Sequence, residues 1–165
     1  MSDADRPALL VCFDDAYAPA AAVTLDSLFR NNPDLDAELY AAVSAIQPER
    51  LLTVERLCAD FGHAITFLEM DEGDYRHFKT VAHISQAAYF RILAIDRIRA
   101  GRILYLDVDL IVQTDLAPLL ALAMGGRLIA GVATERPPGD ALHLIGVDDG
   151  EPYLNTGVLL IDAAQ

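Results

Sequence analysis

Apolar residues fall along this chain in short continuous runs and in helical stripes, and the two kinds alternate. Residues 8–13 (A-L-L-V-C-F) are an apolar run of strand length, followed by the polar loop Asp14-Asp15-Ala16-Tyr17. Pro19 suits a first helical turn, and 20–30 then reads as a helix with Val23, Leu28 and Phe29 inward. Asn31-Asn32-Pro33 stops it. A strand is expected at 37–43, and an amphipathic helix at 48–61 with Leu51, Leu52, Val54, Leu57 and Cys58 as its apolar positions. Gly62 suits the position just past that helix. A short strand follows at 65–68. Residues 70–84 are polar and irregular; Ser85 is placed to cap a helix at 86–98, which Gly101 closes. A strand at 104–106, a short helix at 116–124 ended by Gly125-Gly126, a strand at 128–133, a loop at 135–150 and a last strand at 153–161 complete the chain. Strands alternating with helices predict an α/β fold, a mostly parallel sheet flanked by helices. Ligands bind such sheets beyond the carboxyl ends of their strands. Two acidic motifs fall there: Asp14-Asp15 and Asp107-Val108-Asp109.

The chain has the length of one ordinary domain, 165 residues, and its 53% hydrophobic content is enough for a sizeable core. A net charge of −13 excludes nucleic acid as a partner, because that role needs a basic footprint. It also constrains any phosphorylated ligand. Lys79 is the only lysine, so a diphosphate would need arginine, backbone N–H groups or a bound metal. No apolar stretch reaches the roughly 20 residues of a membrane span. Residues 1–7 are polar and acidic, unlike a secretory leader, and are read as a disordered tail. Cys12 and Cys58 have no metal-ligand spacing; reduced thiols and a cytoplasmic location are the expectation.

Side chains alternate across a strand, so Asp107 and Asp109 are expected to point to one side. Spacing alone leaves three readings of the pair: a solvated turn, which it favours, a divalent-metal site, or an acid-base pair. Oxygen ligands at i and i+2 suit Mg²⁺ or Mn²⁺. The second copy, Asp34-Leu35-Asp36, follows a helix stop and reads as a solvated loop. Asp14 and Asp15 serve equally as a cap ahead of the first helix. Arg91 sits in a largely apolar helix. It is either a snorkelling surface residue, the commoner case, or a buried cation facing a site. His83 is a ligand or a plain loop residue; His63, His77 and His143 have no partner pattern. Asn155-Thr156-Gly157 reads as a turn into a buried strand. Cys12 reads as a strand residue rather than a nucleophile.

Four motifs together resemble one family. F-D-D-A-Y at 13–17, H-I-S-Q-A-A-Y-F-R at 83–91, L-Y-L-D-V-D at 104–109 and Y-L-N-T-G-V-L-L-I-D at 153–162 occur in the order and at about the spacing of the retaining glycosyltransferases of family 8. That group includes bacterial lipooligosaccharide galactosyltransferases and glycogenins. The resemblance implies a GT-A-type, Rossmann-like nucleotide-diphosphosugar transferase fold over 8–165. It also implies a Mn²⁺ (or Mg²⁺) cofactor, a UDP-hexose donor, a saccharide acceptor and retention of anomeric configuration. Carried over by position, Asp107 and Asp109 bind the metal, and the backbone at Val108 lies near the ribose. Cys12, Asp14 and Tyr17 line the donor's uridine pocket, Phe13 is counted among the donor-binding residues, and Arg91 faces the donor. His83 and Asn155 sit beside the sugar and acceptor as candidate catalytic residues.

Three departures bear on these expectations. Ala16 stands where bacterial members usually carry Asn. Ala133-Thr134-Glu135 stands where relatives tend to have an acceptor-facing Asp. Relatives also continue past the equivalent of Gln165 to a late His-x-x-Gly-x-x-Lys-Pro-Trp motif, whose His completes the metal site. This chain has no Trp, so the expectation is a C-terminally truncated family domain with two protein metal ligands. The alternative function is then a UDP-sugar- or metal-binding module without turnover. A dehalogenase-type phosphatase, whose Asp-x-Asp opens the domain and needs a later Lys, fits poorly.

Overall fold

The apolar run at the start of the chain becomes an inner strand of a six-stranded sheet. The computed structural model describes residues 6–71, 73, 87–135 and 152–164. In chain order the elements are β1 (Ala8–Asp14), α1 (Ala18–Asn31), β2 (Glu38–Ser44), α2 (Pro48–Asp60), β3 (Ile65–Glu69), α3 (Ala87–Ile95), β4 (Arg102–Leu106), α4 (Ala117–Leu120), β5 (Ile129–Thr134) and β6 (Tyr153–Asp162). The sheet order is β3-β2-β1-β4-β6-β5. β3, β2, β1 and β4 are mutually parallel, whereas β6 runs antiparallel to both β4 and β5. The expected mostly parallel sheet flanked by helices is therefore present, with an antiparallel strand inserted beside β4.

β1 is buried on both faces, which is why it lacks a polar side. Leu9, Val11 and Phe13 join the core under α1 and α2, while Ala8, Leu10 and Cys12 join a second core under α3. Each fully buried Leu or Phe contributes on the order of 1.5–3 kcal/mol of transfer free energy. The chain leaves β1 towards β2 on one side and later returns to β4 on the other. The carboxyl ends of β1 and β4 therefore flank the point where strand order reverses, the crevice in which open α/β sheets bind ligands.

Several local expectations need correction. Val23 is 54% exposed; the inward stripe of α1 is Ala18, Ala21, Thr24, Leu25, Leu28 and Phe29. The helical period puts polar Thr24, not Val23, in line with Ala21 and Leu28. Leu52 of α2 is likewise exposed. The helix expected at 116–124 is regular only over Ala117–Leu120, with Leu119 and Leu120 packed against the core and the flanking Leu116 and Met124 buried in it. Gly62 does end α2, with φ +82° and its N–H on the Ala59 carbonyl. Ser85, His83 and His143, and the loops at 74–84 and 136–150, lie outside the described residues. Among the described residues no helix is long and apolar enough to cross a membrane.

Candidate active site at the carboxyl ends of β1 and β4

β4 ends at Leu106, so Asp107, Val108 and Asp109 lie just beyond the strand, the last two in a bend. The strand alternation expected between Asp107 and Asp109 is therefore not what arranges them. It arranges Tyr105 and Asp107 instead. The Tyr105 hydroxyl donates to Asp107 Oδ1 at 2.5 Å, and the Asp107 N–H extends the β4–β6 ladder by donating to the Gly157 carbonyl at 2.8 Å. Asp107 is half-buried, Val108 is buried, and Asp109 is exposed.

Arg91 comes from α3 on the same face. Its side chain is only 16% exposed, and its guanidinium stacks 4.4 Å from the Tyr105 ring centroid. One guanidinium nitrogen is 3.7 Å from Asp107 Oδ1, and the other donates to the Thr156 carbonyl at 2.7 Å. The snorkelling arrangement favoured by sequence is thus replaced by the other reading, an inward cation beside a carboxylate. The α3 helix has room for it because Phe90 and Ala94 carry the packing against the sheet.

A bulge in β6 brings the last motif over Asp107. Between the pairs Gly131–Leu159 and Ala133–Leu154, β5 advances two residues and β6 five. The surplus residues include Asn155, Thr156 and Gly157. Such bulges bend a strand and re-aim its side chains. Gly131 permits it: a Cβ there would stand 3.3 Å from the Asn155 carbonyl and 3.0 Å from the Leu159 side chain. At Gly157 a Cβ would stand 3.0 Å from Asp107 Oδ2 and 3.2 Å from Asn155 Oδ1. Asn155 Oδ1 accepts the Gly157 N–H at 2.9 Å, closing the turn that sequence suggested. Tyr105, Thr156 and Gly157 are parts of the site that residue-type reasoning passed over. The alternation of Tyr105 with Asp107 was the available signal for the first.

The β1 residues divide. The Cys12 side chain lies under the site, and burial pushes its thiol up to about 12, with Arg91 opposing and Asp107 adding to the shift. It is a buried thiol with no tendency to ionise, as its strand position suggested. Burial likewise raises the Tyr105 hydroxyl well above its ordinary value, so it remains a donor. Phe13 is a correction: its side chain is buried in the core beneath α1 and is unavailable to contact a donor. Asp14 accepts the Tyr17 N–H at 3.1 Å, bracing the turn into α1, and Tyr17 stands exposed beside it. Asp15 instead accepts the Gln47 N–H at 3.0 Å and pairs with Arg50 at 3.2 Å, tying the loop to the start of α2. Asp34 and Asp36 are solvated, as expected, with Asp36 paired to Arg6 at 2.6 Å.

The residues after the acidic pair have no sheet partner, yet their backbone groups are satisfied from α1. The buried Thr24 hydroxyl lies 2.8 Å from both the Val108 and Leu110 carbonyls. Ser27 accepts the Val112 N–H, and Asn31 donates to the Val112 carbonyl, each at 2.9 Å. Asn32 donates to the Thr114 carbonyl at 3.2 Å and accepts the Leu116 N–H at 2.6 Å.

The donor set fits a hard divalent cation in part. Asp107 and Asp109 offer oxygen only, as Mg²⁺ and Mn²⁺ prefer. The hydrogen bond and ion pair to Asp107 both fall on Oδ1, and the missing side chain of Gly157 leaves room beside Oδ2. Among the described residues no group of three or more His, Cys, Asp or Glu could hold a metal ion.

Known proteins share this arrangement of chain. Residues 8–165 match the model of glycosyl transferase family 8. General stress protein A of Bacillus subtilis is 31% identical over 158 residues, covering 93% of this chain and 55% of that protein. Glycosyltransferase GlyF of Streptococcus pneumoniae is 31% identical over 160 residues, covering 97% of this chain and 37% of that one. The crystal structure of galactosyltransferase LgtC, in complex with donor and acceptor sugar analogues, superposes with a TM-score of 0.82 at 28% identity. That match covers 94% of this chain and 58% of LgtC. The chain thus spans about half the length of the relatives it matches. A family model matching nearly from end to end, on a sheet whose switch point gathers Asp107, Arg91 and the Asn155–Gly157 turn, establishes that this chain belongs to glycosyl transferase family 8.

Proposed function

We propose that this chain carries the donor-binding half of a metal-dependent, retaining hexosyltransferase that moves a hexose from a UDP-sugar to a saccharide acceptor in cell-surface glycan synthesis. One observation carries the reading. Asp107 sits at the sheet's switch point, fixed by Tyr105 and Arg91 on one oxygen and, among the described residues, left open beside Gly157 on the other. Two relatives support the chemistry by what they are: LgtC holds donor and acceptor sugar analogues, and an Escherichia coli relative, 24% identical, is a lipopolysaccharide 1,2-glucosyltransferase.

Asp107 and Asp109 are the residues to hold the cation. When bound, Mn²⁺ or Mg²⁺ supplies charge neutralisation for the diphosphate and Lewis-acid stabilisation of the leaving UDP. The protein's own part is orientation. Arg91, buttressed by the Tyr105 ring, holds Asp107 in a fixed pose and places a cation beside the donor site. Exposed Tyr17 offers a flat ring and Asp14 a carboxylate at the nucleoside end. The backbone at Val108 borders the ribose. Asn155, with Oδ1 engaged by Gly157, orients its amide towards the sugar side. His83 remains a candidate from its motif.

The test is Mn²⁺-dependent release of UDP from UDP-galactose and UDP-glucose, alongside Mn²⁺ titration by calorimetry. Asp109→Ala is expected to lower Mn²⁺ affinity at least tenfold and any UDP release a hundredfold. Equal turnover in both proteins would remove the role given to Asp109. Wild-type binding of Mn²⁺ and UDP without release would favour the second reading, a binding module.

A further inference from the structure

We propose that Thr24 is a positioning residue for the site, holding the bend that presents Asp109. The inference rests on the metal reading above and extends it to a residue on a different element. Val108 and Leu110 flank Asp109, and their carbonyl oxygens each lie 2.8 Å from Thr24 Oγ1. They are therefore at most 5.6 Å apart, twice that distance. In an extended strand, groups two residues apart are separated by roughly 6.6 Å. The single hydroxyl proton is shared between the two carbonyls, and the backbone between them is drawn together. Asp109 lies between them in the bend and is exposed.

Thr24 occupies a core position that the helical period would otherwise give to an apolar residue; it is 1% exposed. Its hydroxyl is the buried group that satisfies both carbonyls. Without it two acceptors are left in an apolar setting, and the bend relaxes to reach water. Asp107 does not depend on this contact, because β6, Tyr105 and Arg91 hold it. The two carboxylates are thus fixed by independent supports, and Thr24 governs one of them.

The experiment compares wild type, Thr24→Val, Thr24→Ser and Thr24→Cys. Mn²⁺ affinity is read by electron paramagnetic resonance, amide hydrogen exchange at Val108–Val112 by NMR, and folding by circular dichroism. Thr24→Val keeps the shape and removes the donor; Mn²⁺ Kd is expected to rise about tenfold and exchange at the bend to quicken about tenfold, with β1 and β4 amides unchanged. Thr24→Ser restores the hydroxyl and is expected to stay within about twofold of wild type on both readouts. Should Thr24→Val fail to fold, Thr24→Cys, a weaker donor of similar volume, supplies the comparison with intermediate values. Unchanged exchange at the bend in the folded Val or Cys protein, or a Ser variant as impaired as Val, would overturn the role of Thr24. Wild-type protein that takes up no Mn²⁺ would instead overturn the metal reading, and the exchange comparison would still show whether Thr24 holds the bend.

Discussion

At the scale of single residues, the site depends on what is missing as much as on what is present. Gly157 sits where any side chain would press on Asp107 Oδ2 at 3.0 Å and on Asn155 Oδ1 at 3.2 Å. Both contacts are tighter than ordinary van der Waals distance, and neither neighbour is free to yield. Asn155 closes the turn, and Asp107 is pinned through its other oxygen by Tyr105. Gly157→Ala should therefore cost about 1–3 kcal/mol in stability, as overpacking does. It should also weaken Mn²⁺ binding several-fold by turning Asp107. Urea unfolding and a Mn²⁺ titration measure the two effects. A protein of wild-type stability and affinity would show that the turn gives way freely. Asp107 was legible as a candidate from its place after an apolar strand, and Arg91 as an arginine in an apolar helix. The direction of Arg91 was not legible. Snorkelling and burial give the same local pattern, and partners supplied by distant strands, the Tyr105 ring and Thr156 carbonyl among them, decide between them.

At the scale of elements, α1 does two jobs. Its apolar stripe packs on β1, and its polar residues Thr24, Ser27, Asn31 and Asn32 take the place of a neighbouring strand for the segment after β4. Buried backbone groups need partners, and here side chains provide them. Asn32 is the clearest case: it is buried, accepts the Leu116 N–H and donates to the Thr114 and Leu28 carbonyls. Asn32→Ala leaves the Leu116 N–H and the Thr114 carbonyl without that partner. At about 1–3 kcal/mol for each buried group left unsatisfied, a loss of roughly 2–6 kcal/mol is expected for the two. Chemical denaturation should show a lower midpoint with an unchanged slope. A loss below about 0.5 kcal/mol would mean that water replaces the amide. The alternation of runs and stripes revealed the strands and the two long helices, since burial on two faces or one imprints the sequence directly. It did not reveal that 108–116 is held by a helix, because Asn31-Asn32 reads as a helix stop whatever the amide groups contact. It also misjudged 116–124, where the apolar residues Leu116, Leu119, Leu120 and Met124 do meet the core but only Ala117–Leu120 is helical.

At the scale of the whole molecule, charge is the dominant property. Twenty-five acidic residues face 12 basic ones, giving −13. The described ion pairs Arg6–Asp36, Arg30–Asp26 and Arg50–Asp15 lie on exposed or half-exposed surface, where such pairs add little. The remaining carboxylates repel one another, and this repulsion opposes the compact state. The same field draws cations towards the molecule before any ligand contacts them. Salt acts on both effects and in opposite directions. The Debye length falls from about 30 Å at 0.01 M to about 10 Å at 0.1 M, less than the width of a domain. Raising NaCl from 10 to 200 mM should therefore raise Tm by a few degrees, as self-repulsion is screened. It should also weaken Mn²⁺ binding several-fold, as attraction to the field is lost. Differential scanning calorimetry and Mn²⁺ titration across one salt series measure the two together. A Tm that falls with salt would mean that favourable ion pairs outweigh repulsion. Mn²⁺ affinity indifferent to salt would mean that Asp107 and Asp109 act alone, without the surrounding acidic surface.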